Sequence, residues 1–436
     1  MTNHQLDNQR DAIEHNLDLG WELLSAQPTH PKVGELAAQV IAAQPERSSA
    51  SLLLGLHLEA SGRLEEAKRV FLQVAGRRDN HFVTAAQCLR HVSFGLRDHA
   101  EALRWADVAI KEEPESWGNV MELGSAMAEN GDLDHAWQRL DDAVAMCART
   151  SPDDLPVALA QRAGYLLSNF APLERFMPAA EEAIRADAAS PWVALMLGWS
   201  YLVQYRFDEA EELTLRILRI DPTEELFQTL LETTRTVRGV VDDAAEEGIT
   251  IDDIRRSGVL ETTWRLLRER ELGIDLDSAL VALEEVLPAE VRATLSPPAS
   301  PEQTEEAGAL AGESLALWHD GQRPGVGDTW GLGGPFRLMT AAEMIALEDA
   351  IDADASAYPG WPENDVREAV MTDDAGDYLV VVSFGAVVKR RAGQPDEPLA
   401  PSMGDWVWAQ VARFGGADQR PASLRIAAAD FLESQG

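Results

Sequence analysis

Cysteine is nearly absent from this chain of 436 residues. Cys88 and Cys147 are the only two. A single pair gives no disulfide framework and no metal-ligand spacing, so both are expected to be buried small hydrophobes. A reducing cytoplasm fits that scarcity. Lysine is almost as rare, with Lys32, Lys68, Lys111 and Lys389 the whole complement. Nearly all positive charge is therefore arginine. Long apolar runs are missing as well. The longest, "PWVALMLGWSYLV" from Pro191, is too short to span a bilayer. The opening "MTNHQLDNQR" is polar and does not read as a secretory signal.

Positive charge as a whole is in deficit. Against 37 basic residues stand 74 acidic ones, a formal net charge of -37. Binding bare nucleic acid relies on Lys and Arg displacing counterions from phosphates, so direct nucleic-acid binding is not expected. An anionic membrane surface is disfavoured for the same reason. A protein partner with a basic surface fits, because complementary fields raise association rates. Solubility alone would also account for the charge.

What is present first is a repeat. Gly55, Gly124, Gly164 and Gly198 each stand in a helical run of apolar or small residues. Twelve residues on lie Ala67, Ala136, Phe176 and Ala210. Arg90 replaces the glycine in one copy, and Ala102 still follows it twelve residues later. Starts set seven residues before these positions fall at 48, 83, 117, 157 and 191, spaced by 35, 34, 40 and 34. The turn-rich insert "SPDDLP" accounts for the long interval. A small residue facing a small residue lets two antiparallel helices approach closely. Gly62 and Gly131 fall in the turns between paired helices, where a positive φ is often required. Pro114 and Pro222 end second helices. The tryptophans of this half read as packing residues.

"LLLGLHLEASGRLEEAKRVF", "MELGSAMAENGDLDHAWQRL" and "LMLGWSYLVQYRFDEAEELT" resemble the tetratricopeptide repeat (TPR) family over residues 14–222. The resemblance implies stacked helix pairs with a concave face that binds peptides or proteins. One subclass clamps chaperone C-termini with Lys and Asn, and four lysines make that subclass a poor fit. Residues 223–273 keep a helical period without the repeat spacing. They read as a cap over the last apolar face, with an acidic turn-prone stretch "DDAAEEGITIDDI" between two helices.

The last third changes texture. "GIDLDSALVALEEVLPAEVRATL" reads as a helix capped by Asp275 or Asp277, closed at Leu287-Pro288 and followed by a second short helix. Residues 296–313, rich in Pro, Glu and Ala, read as a loop or flexible insert. Phe336-Arg337-Leu338 reads as a short strand, and Thr340 with Glu343 as a capping box. "YLVVVSF" and "AVVKRR" predict a hairpin about Gly385. "DWVWAQVARF" alternates in part and is expected to be a third strand. "PASLRIAAADFLES" predicts a closing helix. This order is an α+β layout.

The motifs "ALEEVLPAEVRATL", "LALWHDGQ", "GLGGPFRLMTAAEM" and "DDAGDYLVVV", in that order, resemble the SMI1/KNR4 (SUKH) superfamily over about residues 274–436. The fold expected is thus multidomain: an all-α TPR-like helical repeat solenoid followed by an α+β SUKH-like domain. The resemblance implies a binding domain, in bacteria often an immunity protein that neutralises a toxin. It marks Trp318, His319, Asp320, Gly321, Phe336, Asp374 and Asp377 as signature or partner-contact positions. Trp318 is expected to anchor the core.

Catalysis finds little support. His319 and Asp320 are neighbours on a turn with no nucleophile placed beside them. Asp373, Asp374 and Asp377 lack the spacing of a calcium loop. "GVGDTWG" matches no phosphate-binding loop. No cofactor or metal is expected. Three readings stay open: an interaction scaffold with two binding surfaces, a peptide adaptor whose C-terminal part is structural, and an enzyme on the α+β part. The first is favoured. The sequence names no partner and no oligomeric state.

Overall fold

A computed structural model describes the chain except residues 1–2, 247, 257–258, 305–310, 324–326, 355–357, 359–360, 362–366, 374, 383–384, 392–393 and 436. The backbone forms two compact units. One holds Met1–Ala171 with Glu182–Ala189. The other holds Pro172–Glu181 with Ser190–Gly436.

The first unit is built from helix pairs. They are α1 (Asn3–Ala26) with α2 (Pro31–Ala43), α3 (Ser48–Ala60) with α4 (Leu64–Arg77), α5 (Phe82–Gly95) with α6 (His99–Glu112), and α7 (Trp117–Glu129) with α8 (Leu133–Thr150). A 3₁₀ turn at Pro152–Asp154 fills the insert before α9 (Leu155–Ser168). The turns are short, which sets paired helices antiparallel. Gly62 and Gly131 take φ of 73° and 90° in those turns. Helix α10 (Leu173–Arg185) follows and contributes residues to both units.

The spacing of small residues has a direct steric cause. Ala67, Ala102, Ala136 and Ala210 are fully buried. A Cβ added at Gly55 would lie 2.3 Å from Phe71 Cε1 and 2.7 Å from Cζ. One at Gly124 would meet Leu140, the Ala136 carbonyl oxygen and Arg139 at 3.0–3.1 Å. A Cβ added at Gly198 would lie 2.5 Å from Leu230 Cδ2, on the helix after its repeat rather than against the alanine within it. At Gly164 nothing lies within 4 Å, so the close approach expected there does not occur. The same substitution should therefore change sign along the array. Gly55→Ala should lose roughly 1–3 kcal/mol by overpacking. Gly164→Ala should gain about 0.5–1 kcal/mol from helix propensity. Urea unfolding of the two variants checks this; equal effects would mean the glycine is merely a repeat habit.

The second unit begins with α11 (Pro191–Val203) and α12 (Phe207–Ile220), then α13 (Glu225–Glu246), α14 (Ile251–Arg256) and α15 (Val259–Glu271). The acidic stretch from Asp242 is not a turn as expected: α13 runs through it to Glu246, and Gly248 beyond has φ of 83°. Helices α12 and α13 pack together, and both α13 and α15 contact α11. Then come α16 (Leu276–Val286), α17 (Ala289–Arg292), α18 (Pro301–Thr304) and α19 (Gly312–Trp318). Strand β1 (Arg337–Leu338) leads to α20 (Ala341–Ala353), then to β2 (Arg367–Thr372), β3 (Tyr378–Val382), β4 (Val387–Arg390) and β5 (Glu397–Ala400). Helices α21 (Met403–Arg413) and α22 (Ala422–Gln435) close the chain. The strands form one antiparallel sheet in sequence order.

Several local expectations hold. Asp275 caps α16, and Thr340 with Glu343 makes the full capping box of α20. Strands β3 and β4 pair as a hairpin, Val380 opposite Val388. Others need correcting. "DWVWAQVARF" is helix α21, not a strand. Ser402 caps it by accepting from the Asp405 N–H, and burial around most of its circumference gives it an apolar texture that mimics alternation. Strands β2 and β5 escaped the sequence reading. The supposed loop insert is partly packed: Ala299, Thr304 and Ala311 are buried, and Ala299 N–H bonds the Ala316 carbonyl. Residues 305–310 of that stretch lie outside those described. Cys88 and Cys147 are free and buried.

Candidate functional site

In the first unit the place where the repeat loses its glycine holds a buried polar cluster. Arg90 stands on α5 with only 5% of its surface exposed. Such a cation needs partners, and α7 supplies them. Asn119, Glu122, Ser125 and Glu129 recur at three- and four-residue spacing, so one face of α7 carries all four. Glu122 Oε2 lies 2.8 Å from Arg90 Nη1. Glu129, 6% exposed, accepts from Arg90 Nη2 at 3.4 Å and from the Ser125 hydroxyl at 3.0 Å. Tyr165 on α9 donates its hydroxyl to Glu122 Oε1 at 2.5 Å. Gln87 on α5 donates to Asn119 Oδ1 at 2.7 Å.

Around this buried base lies a more open rim. His91 and Phe94 on α5 are exposed; Glu59 on α3 and Tyr165 are half-buried. His91 Nε2 stands 3.5 Å from Glu122 Oε2. The Arg90 guanidinium lies 5.9 Å from the Phe94 ring and 6.0 Å from the Tyr165 ring. Cations at such distances are attracted to the ring faces. Helices α3, α5, α7 and α9 are the first helices of successive repeats, so the cluster runs across neighbouring repeats.

The electrostatics follow from burial. For Glu122, burial alone would raise the carboxyl. The His91 hydrogen bond, the Arg90 charge and the Tyr165 hydroxyl outweigh it and hold the group below the ordinary carboxylate range. Burial first, then the Glu122 charge, pushes the Tyr165 phenol well up. Glu59 is raised by burial, which His91 only partly offsets. A phenol so raised stays protonated near neutral pH and serves as a hydrogen-bond donor to Glu122. The arrangement presents acceptors, an imidazole and rings; it is chemically suited to holding a cationic side chain. The only sequence signal was negative, an arginine where a glycine belonged. An Arg at a small buried position demands carboxylates, and Glu122 and Glu129 follow one repeat later.

The signature positions of the last third lie in the second unit. Trp318 is half-buried rather than a core anchor; Trp330, Trp406 and Trp408 fill the core. Trp318 is the last residue of α19, and its ring stands edge-on to His319, 4.7 Å away. His319 Nδ1 lies 2.6 Å from the Ser296 carbonyl oxygen, and Nε2 lies 3.2 Å from Glu284 on α16. Asp320 accepts from the Ala341 N–H at 2.8 Å, a second cap on α20. Gly321 has φ of 88°, and a Cβ there would meet Thr340 at 2.6 Å. Gln322 donates to Thr294 and accepts from the Trp330 indole. Phe336 is buried under the Lys389 ammonium, 5.2 Å from the ring centre. Asp377 pairs with Arg391 at 3.4 Å, and its N–H bonds Asp373 Oδ1 in the β2–β3 turn. Asp374 lies outside the described residues. The structure does not gather these residues into one cluster. Among the described residues, no group of three or more His, Cys, Asp or Glu is placed to hold a metal. No helix among them is long and apolar enough to cross a membrane.

No family model matches the chain, and no curated protein does. Solved structures similar to it include TPR proteins. A thermophilic TPR protein of Thermus thermophilus is 16% identical, covering 44% of this chain and 99% of its own, with a TM-score of 0.37. Pseudomonas aeruginosa pilF is 14% identical, covering 52% and 99%, at 0.40. The Cut9–Hcn1 hetero-tetramer of the APC/C is 14% identical, covering 53% and 44%, at 0.43. Likeness at this level says nothing of a ligand. The helix-pair architecture stands on its own spacing and on the Gly55–Phe71 and Gly124–Ala136 contacts.

Proposed function

We propose that this chain is a non-catalytic protein-interaction scaffold. In this reading the TPR-like array of residues 14–222 carries one binding surface, residues 223–273 cap it, and the α+β part, 274–436, carries a second. The observation that carries it is the rim of Glu59, His91, Phe94 and Tyr165, set on the buried Arg90–Glu122–Glu129 base. A rim of acceptors and rings on rigid helices suits recognition. The net charge of -37 favours a partner with a basic surface.

The finer identification is that residues 274–436 form a SUKH-like binding domain, acting as an immunity factor or regulator toward a basic, toxin-like protein in the cytoplasm. Its support is the order of the four motifs and the way His319, Asp320 and Gln322 tie α16, α20 and the Trp330 loop together.

The full chain, used as bait in host lysate, should retain a protein that elutes as salt rises. Glu59→Gln with Phe94→Ala, both at surface-accessible positions, should weaken that partner by roughly tenfold or more. Undiminished binding by the double variant would remove the rim from the site. Retention of no protein at all would sink the scaffold reading.

A further inference from the structure

In the second unit, helix α13 carries an apolar stripe that is largely exposed among the described residues. Its buried side is Phe227, Leu230, Thr234 and Val241. Next to it runs a second line, Leu226, Thr229, Thr233 and Val240, at three-, four- and seven-residue spacing. Leu226 is 53% exposed and Val240 58%. The two threonines belong to the apolar line. Thr229 donates its hydroxyl to the Glu225 carbonyl at 3.0 Å and Thr233 to the Thr229 carbonyl at 2.8 Å, which satisfies each hydroxyl within the helix and leaves the methyl as the free group.

Charge on this helix is sorted by side. Arg235 and Arg238 reach back to Glu211 and Asp208 on α12. Glu225, Glu232 and Asp243 are exposed and recur at seven- and eleven-residue spacing, on one line along the outer border of the stripe. None of the three forms an ion pair with a described residue. The helix thus pairs its cations with α12 on one side and offers carboxylates beside exposed apolar surface on the other.

We infer that this face of α13 docks an amphipathic helix of a partner protein whose apolar stripe is bordered by lysine or arginine. A second copy of this chain is the poorer occupant. Crossing two α13 helices antiparallel about Thr233 would set Leu226 against the partner copy's Val240, but it would also bring Glu224 and Glu225 against Asp242 and Asp243. The inference rests on the scaffold reading and places a binding surface apart from the rim.

The probe is a synthetic leucine–lysine amphipathic helix titrated into the full chain by fluorescence anisotropy. Leu226→Asp with Val240→Asp changes exposed positions only and should weaken binding roughly tenfold or more. Glu232→Lys with Asp243→Lys leaves the apolar line intact and should weaken it several-fold while flattening its salt dependence. The rim variant, Glu59→Gln with Phe94→Ala, should leave peptide affinity unchanged. A peptide with glutamate in place of lysine should not bind. No binding, binding indifferent to the stripe variants, or equal binding of the glutamate peptide would each overturn the proposal without touching the rim. Sedimentation of the full chain showing a dimer that Val240→Asp dissociates would assign the face to a second copy and overturn it too.

Discussion

Asp405→Ala should destabilise the second unit more than any surface change, by roughly 3–5 kcal/mol, the range for breaking a buried ion pair from one side. Asp405 sits in the first turn of α21 and is buried. Its Oδ1 accepts from Arg420 Nη1 at 2.7 Å, and its Oδ2 pairs with Arg265 of α15. Ser402 donates to the same carboxylate at 2.8 Å. Arg265 also meets Glu269 at 2.5 Å, and Arg420 meets Asp418 at 2.6 Å. Removing the central carboxylate leaves two guanidiniums facing each other with one acid apiece. The cost is the loss of the carboxylate that two cations share in a buried setting, so Asp405→Asn, which keeps the shape without the charge, should recover only part of it. Replacing Arg265, Asp405 and Arg420 together by apolar residues of similar size should recover more. Urea unfolding followed by tryptophan fluorescence reports on it, since Trp406 and Trp408 lie on the same helix. A loss within about 1 kcal/mol for Asp405→Ala, the scale of an exposed pair, would show that the network is solvated in solution.

Arg90→Ala should lose a comparable amount from the first unit, roughly 3–5 kcal/mol at neutral pH, because Glu122 and Glu129 lose their shared cation in a buried setting. The pH dependence separates this from a packing defect. In the native chain Glu122 is held below its ordinary value, so its contribution is present above the unfolded value and lost as pH falls through the folded one. Without Arg90 one of the influences lowering that carboxyl disappears and burial gains weight, so the contribution shrinks or vanishes. The difference between the two proteins should therefore narrow as pH falls below about 5. Arg90→Met with Glu122→Gln and Glu129→Gln should restore much of the neutral-pH stability. Denaturant midpoints taken across pH for the three proteins decide it. A difference constant with pH would mean the loss is one of packing.

The repeat was legible because its cause is local. Gly124 meets the Ala136 backbone as the spacing suggested, Gly55 is small because the Phe71 ring rather than Ala67 lies against it, and Gly62 and Gly131 turn where a positive φ is needed. The caps at Asp275 and Thr340 were legible too, being contacts over three residues. Helix α21 was misread because its apolar residues surround it. Strands β2 and β5 were missed because pairing partners, not their own pattern, make them strands; β5 contains a proline and lies at the sheet edge. Trp318 was overvalued because aromatic content says nothing of which tryptophan the core takes.

Some properties need only the chain in order: the acidic balance, the period near 34, the turns and the helix caps. The charge balance is a sum over the chain, and the period, turns and caps depend on residues within about a repeat length, where covalent connection limits distance. Tertiary structure alone decided that Arg90 would be buried against Glu122 and Glu129, 32 and 39 residues away. It also brought Arg265 to Asp405 across 140 residues and left one line of α13 bare. Burial turns an ordinary charge into one that must be paired, and no count of residues along the chain states which charges will be buried.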